Sequence, residues 1–197
     1  KRIFSILILI LAIGFVVVQM FALKSQYNIE THAFKVKEKY DTFEIRTYEK
    51  ALFTSVKLPN NSFKDAASNG FSVLAGYIFG GNDRKEKIAM TSPVKMSIQD
   101  SMTMLFMVPH KFKKETLPLP NDSKIEFKEE AEKTVAAIGF GGWANAKKID
   151  RYKKELSAAL DAKGISYSNR FFFLGYNAPY EVFNRKNEII VELNSEN

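Results

Sequence analysis

The longest feature of the hydropathy pattern comes first in the chain. From Ile3 to Leu23 the sequence reads IFSILILILAIGFVVVQMFAL, without a charge and with only Ser5 and Gln19 distinctly polar. A helix of that length rises about 31 Å, close to the hydrocarbon thickness of a bilayer. A core helix of a soluble domain carries a polar face, and this run has none. It predicts a transmembrane signal anchor over 1–24, with a cleaved signal peptide as the alternative. A polar stretch, SQYNIETHAFK (25–35), follows and reads as a tether.

Beyond residue 36 the apolar period shortens. Phe43 and Ile45 alternate with polar neighbours, and Ala51 to Leu58 forms a second strand-like run ended by Pro59. Ser62 and Asp65 then resemble a capping box, and Ala67, Phe71, Leu74 and Ile78 recur at helical spacing before Gly80-Gly81. Displacing the chain by 83 positions brings this order round again. YEKALFTSV (48–56) falls over AEKTVAAIG (131–139), and IAMTSPV (88–94) over FFFLGYN (171–177). Asn145 falls under Ser62 and caps a helix with Ile149, Tyr152, Leu156 and Leu160 on one face, closed by Gly164. PHKFKKETLPLPND (109–122) separates the halves and, with its prolines, cannot be sheet interior. The expected fold is therefore α+β: a distorted, eight-stranded antiparallel β-barrel of two pseudo-symmetric ββαββ halves with two flanking helices. It spans 36–195 and is preceded by the N-terminal transmembrane helix.

Charge narrows the partners. The 197 residues carry a formal +7, of which Lys1, Arg2 and Lys24 flank the apolar run. That leaves about +4 on the barrel and no stripe of cations with interleaved aromatics, so nucleic acid is not expected. Lys1 and Arg2 ahead of the helix favour a barrel outside the cytoplasm, in the periplasm of a bacterium. The lack of cysteine removes disulfides and thiolate chemistry.

Catalytic and nucleotide-binding signatures are missing: no H-E-x-x-H, G-x-S-x-G, Walker A or G-x-G-x-x-G occurs. The two histidines, His32 in the tether and His110 in the connector, read as solvated side chains. Glu126, Glu129, Glu130 and Glu132, mixed with Lys128 and Lys133, read as the solvated side of a strand and turn. An enzyme would have to rely on groups such as Tyr77 and Glu86 and is not expected. Five of the six methionines lie between Met90 and Met107. Methionine adapts to irregular and flat surfaces. In the alternation 102–106, Met102, Met104 and Phe106 share a face and point to the core. Met90 and Met96, either side of Thr91-Ser92-Pro93, suit the rim of an apolar pocket, with the strand kinked at Pro93. Thr91 and Ser92 are expected to satisfy local backbone groups and do no chemistry.

Several short motifs occur in a fixed order: FSVLAGYIFGGN (71–82), KIAMTSPV (87–94), VPHKF (108–112), GFGGWA (139–144), GYNAP (175–179) and NRKNEI (184–189). Together they resemble the SOUL haem-binding protein family over about Val36 to Leu193, as a membrane-anchored bacterial member. The resemblance implies a barrel of two similar halves and a shallow cleft beside the first helix that takes haem or a related tetrapyrrole. The residues it assigns are Phe71, Leu74 and Ile78 on that helix, Met90 and Met96 at the bend, and Lys87, with Arg84 and Lys85, toward the propionates. No histidine matches the axial ligand proposed for some members. The expectation is a non-catalytic protein that sequesters or delivers a hydrophobic macrocycle at a membrane. The alternative is a ligand-sensing or protein-interaction barrel, like those of bacterial drug-binding regulators, with no haem role.

Overall fold

The structure, a computed structural model, describes residues 2–26, 29–58, 63–99 and 102–194. Helix α1 (Arg2–Gln26) comes first. Strands β1 (Phe34–Lys39), β2 (Glu44–Tyr48) and β3 (Ala51–Lys57) lead to helix α2 (Phe63–Ile78), and β4 (Val94–Ser97) and β5 (Thr103–Met107) follow. After the connector, β6 (Ile125–Glu130), β7 (Lys133–Gly141), helix α3 (Ala146–Ala162), β8 (Tyr167–Gly175) and β9 (Lys186–Leu193) complete the chain. From β2 onward the order strand, strand, helix, strand, strand occurs twice, as the periodicity predicts.

The strands form one antiparallel sheet in the order β1-β2-β7-β9-β8-β4-β5-β3-β6. Without β1, exchanging the two runs maps that order onto itself. The sheet has nine strands where the sequence suggests eight. The added strand is β1, whose FKVKEK sequence leaves every residue after Phe34 exposed. It is an edge strand studded with lysine, a form that resists pairing with another chain. Its apolar alternation is too weak to read from sequence. The expected tether is also partly built into the barrel: Ser92 N–H donates to the Glu30 carbonyl (2.9 Å) and His32 N–H to that of Ser92 (3.3 Å).

Helices α2 and α3 lie on the same face. Helix α2 packs on β3 and β5, and α3 on β7, β8 and β9, leaving β4 between them at the sheet's centre. Phe173, opposite Met96 in the β4/β8 register, packs against the clusters under both helices. Among the described residues, no helix covers the other face. It is buried because the sheet curls: Lys95 on central β4 reaches Glu130 on edge strand β6 at 2.6 Å.

The helix boundaries follow local chemistry. The Asn145 side chain accepts from Lys148 N–H at the start of α3, and Gly164 closes the helix at φ +67°. Gly80, at φ +110°, turns the chain out of α2. The cap expected at Ser62 lies outside the described residues. In α1 the described side chains from Ile3 to Met20 face outward, apart from Gln19.

Candidate functional site

Helix α2 turns Ala66, Gly70, Leu74, Tyr77 and Ile78 into the core. Gly70 permits the close approach, since a Cβ there would meet Leu58 Cδ2 at 2.7 Å. Half-buried Phe63, Ala67 and Phe71, four residues apart, run along one edge of the helix. Phe63 meets Phe173 edge-on (5.8 Å between centroids), and Phe71 meets Phe106 (5.4 Å). Phe173 in turn lies 6.4 Å from Phe140, which stacks on Tyr152 of α3. The result is an apolar shelf over β4 and β8, with α2 as one wall and half-buried Phe173 and Val94 in its floor.

The six residues assigned from sequence divide here. Phe71 and Met90 are half-buried and rest on the same core cluster, and Lys87 is exposed. Leu74, Ile78 and Met96 are 0%, 4% and 1% exposed. These three sit beneath the surface and cannot touch a ligand in this conformation. Met96 was placed at the rim because it follows Pro93, but it faces α2 from the middle of a strand covered on both sides.

The segment 83–93 is not the kinked strand expected from its alternation. It is a strap with no regular structure, and β4 begins only at Val94. Asn82, fully buried, ties its start: Nδ2 donates to the carbonyls of Tyr77 (3.2 Å) and Glu86 (2.8 Å), and Oδ1 accepts from the N–H groups of Arg84 and Glu86. Ile88 N–H donates to the Ile78 carbonyl at 2.8 Å, fastening the strap to the end of α2. Thr91 Oγ1 donates to the Met107 carbonyl (2.7 Å) and Ser92 Oγ to that of Tyr176 (3.2 Å). Both hydroxyls therefore serve backbone acceptors, but distant ones 16 and 84 positions away and not the local ones expected. Met90 and Lys87 are carried on this strap.

The barrel interior holds what the sequence did not reveal. Glu130, read as solvated, is buried and ion-paired to Lys95 and Lys133, and Lys133 also reaches Glu192 at 2.8 Å. Burial alone would raise the Glu130 pKa, but the two ammonium groups override it and hold the carboxyl down at about 2. Burial pushes Lys95 below the usual lysine range, and Glu130 opposes that only in part. The Lys95 ammonium sits 4.1 Å from the centroid of Phe172. Arg46 grips Glu188 with two hydrogen bonds (2.9 and 3.2 Å), and Tyr176 donates to the same carboxylate at 2.7 Å. His32 is not solvated either. It is buried between Tyr48 and Phe53, with Nε2 at 2.8 Å from the Glu49 carbonyl, and burial lowers its pKa. Apart from Glu130 and Lys133, three positions apart, these partners lie 12 to 142 positions apart and leave no local signal.

Two concavities open elsewhere. One, of about 800 Å³, is strongly charged and includes Lys37, Lys163, Arg170 and Glu192. The other, of about 620 Å³, is lined by Leu52, Val108, His110 and Phe112 with Lys113 and Lys114. His110 itself is exposed, its ring 3.7 Å from Glu30.

Sequence comparison places these features in a family. The SOUL heme-binding protein family matches residues 29–192, from the segment just before Glu30 into β9. The chain belongs to this family. Heme-binding protein 1 of Sus scrofa is 26% identical over 174 residues, covering 82% of this chain and 92% of the pig protein. Heme-binding protein 2 of Homo sapiens is 28% identical over 174 residues, covering 82% and 84%. The C-terminal domain of EcmrR superposes with a TM-score of 0.61 at 10% identity, covering 78% of this chain and 98% of that domain. A hydrolase from Listeria innocua gives 0.51 at 8% identity, covering 87% and 96%. At such identities these two structures share the fold with the SOUL chain and nothing more. The SOUL match leaves α1 outside its bounds.

Proposed function

We propose that this SOUL-family protein is a membrane-anchored, non-catalytic module that binds haem or a related tetrapyrrole on the shelf beside α2 and sequesters or delivers it at the membrane surface. The observation that carries this reading is the half-buried apolar surface of Phe63, Phe71, Met90 and Phe173, set beside the exposed Lys87. Those residue types fit the group. The aromatic and thioether surfaces match a flat macrocycle, and Lys87 supplies charge for its propionates. Were haem bound there, Met90 on the strap would be the soft side chain available to hold its iron. His32 is committed inside the barrel, so neutral imidazole ligation from that residue has no part in the reading. Covering a few hundred Å² of porphyrin at about 25 cal/mol per Å² contributes several kcal/mol. Lost freedom on association offsets at least about 4 kcal/mol of it. Apolar burial alone thus supports binding no tighter than roughly millimolar, and a tighter constant requires polar contacts such as Lys87 to the propionates.

One further point supports the non-catalytic part and another bears on the ligand-sensing alternative. Tyr77 is buried with its hydroxyl donated to the Pro118 carbonyl at 2.8 Å, and burial pushes it up to about 12. It is poorly placed to move protons at neutral pH. The ligand-sensing alternative would use the barrel interior, and that space is filled by the Lys95–Glu130–Lys133 and Arg46–Glu188 ion pairs. The anchor reading rests on the stretch Ile3–Met20, with mean hydropathy 2.8 and side chains that, apart from Gln19, face outward. Lys1 and Arg2 ahead of it favour an extracytoplasmic barrel. The test is a hemin titration of the full chain in lipid nanodiscs, read at the Soret band. A saturable shift beyond that of empty nanodiscs is expected; superimposable titrations contradict the proposal.

A further inference from the structure

The connection between β8 and β9 inverts the usual surface pattern. Tyr180, Val182 and Phe183 are 43–59% exposed, while Glu181 between them is buried. This exposure is built and not slack. Arg185 donates to the carbonyls of Ala178 and Glu181, Asn177 Nδ2 donates to the Glu181 carboxylate at 2.7 Å, and Lys186 N–H donates to Asn177 Oδ1. The polar side chains stitch the loop from within and hold its apolar ones outward. Trp143, the only tryptophan, is 54% exposed, and the Arg185 guanidinium lies 3.9 Å from its ring centroid. One contiguous aromatic patch results, of the kind that marks an interaction surface.

The patch adjoins α1. Gln19 Nε2 donates to the Tyr180 carbonyl (3.1 Å), Val182 N–H donates to Gln19 Oε1 (3.3 Å), and Phe15 meets Phe183 edge-on at 6.4 Å. Gln19 is thus the buried polar residue of an otherwise outward-facing helix because it docks this loop. Phe15 lies eight residues before Leu23, where the apolar run ends. At 1.5 Å per residue, Phe183 stands level with a point about 12 Å inside the run. Elements lying in a membrane interface bury their apolar side about 5–10 Å deep, so the loop reaches that layer and slightly beyond it. Tryptophan and tyrosine favour that same boundary. Lys147 and Lys148 occupy the first turn of α3, next to Trp143, where the helix dipole disfavours cations. Lys148 donates to the Gly141 carbonyl (2.7 Å) and Lys186 pairs with Glu188 (3.3 Å), so lipid phosphates would add to the partners these two have and would meet Lys147 and Arg185 beside them.

We infer that Trp143 and the Tyr180–Phe183 loop form a second membrane contact, dipping into a bilayer with anionic headgroups and fixing the barrel's orientation on it. The inference rests on the reading of α1 as a membrane span. The full chain is reconstituted into vesicles of phosphatidylcholine and phosphatidylglycerol, with and without brominated acyl chains, and each sample is washed at alkaline pH. The chain is expected in the vesicle pellet with Trp143 emission at least halved by the brominated lipid. In the triple variant Tyr180→Ser, Val182→Ser, Phe183→Ser the chain stays in the pellet but the quenching is lost. Labelling Phe183→Cys, the sole thiol, with an environment-sensitive dye reports a blue shift on vesicles without depending on the triple variant's folding. A pelleted wild-type chain with unquenched Trp143, or quenching unchanged in the triple variant, overturns the loop contact alone. Recovery in the supernatant overturns the span, and the loop contact with it.

Discussion

Replacing Glu130 by glutamine tests the polar interior in a way that carries its own control. Glu130 sits at the end of β6 between the ammonium groups of Lys95 and Lys133, with Lys95 at 2.6 Å. Against the desolvation that would raise it, these charges take its pKa from 4.5 to about 2. At 1.36 kcal/mol per pKa unit the ionised carboxylate contributes about 3 kcal/mol of stability. The folded-state pKa is depressed, so this contribution is complete above the unfolded value near 4.5 and is lost as pH falls toward about 2. Glu130→Gln removes it at pH 7 and leaves two buried cations facing a neutral amide, a change of the class that costs about 3–5 kcal/mol. For a chain of this size that is a fall in midpoint of about 6–20 °C. Thermal unfolding of both chains, followed by circular dichroism from pH 7 to pH 3, should show the gap at neutral pH and its narrowing below pH 4.5. A gap under about 1 kcal/mol at pH 7, or one that does not change with pH, would refute the assignment.

Asn82→Ala strands the Tyr77 and Glu86 carbonyls and two N–H groups that the amide now serves. A loss of about 2–4 kcal/mol is expected in urea unfolding, with faster hydrogen exchange across residues 82–90, the strap that carries Lys87 and Met90. His32 has its pKa lowered from 6.5, chiefly by burial, so below pH 6.5 the unfolded chain takes up a proton that the folded chain resists. Stability should therefore decline as pH drops from 6.5, and His32→Leu should flatten that part of a midpoint-versus-pH profile between pH 7.5 and 5.

The elements that sequence resolved are those whose signal is local. Helices α2 and α3 declare themselves through apolar residues at helical spacing with glycine stops at Gly80 and Gly164, and β3 through its compact apolar run. Strand β1 is hidden because an edge strand with one face in water needs no apolar alternation, and Val36 alone does not make one. The interior charges are hidden for the opposite reason. Lys95 lies between Val94 and Met96 and looks like the wet side of a one-faced strand, as Glu130 does among its exposed acidic neighbours. Only the curl of the sheet turns that side inward, and curl depends on pairings such as β2 with β7 that span some 90 positions. The shelf was half legible for the same reason. Spacing places Phe71, Leu74 and Ile78 on one face of α2, but the depth of each below the surface depends on what lies opposite. Phe63 and Phe173, which meet across the shelf, come from segments more than a hundred residues apart and carry no shared motif.

The shelf itself is tested most directly by comparing hemin affinity for the wild-type chain, Phe71→Asp and His110→Ala in nanodiscs of one lipid composition. A carboxylate at position 71 sets a charge against the macrocycle face, whereas His110 lines the separate concavity beside Phe112. The account predicts at least a tenfold weaker dissociation constant for Phe71→Asp, about 1.4 kcal/mol or more, and less than a twofold change for His110→Ala. Binding that survives Phe71→Asp and disappears with His110→Ala would contradict it.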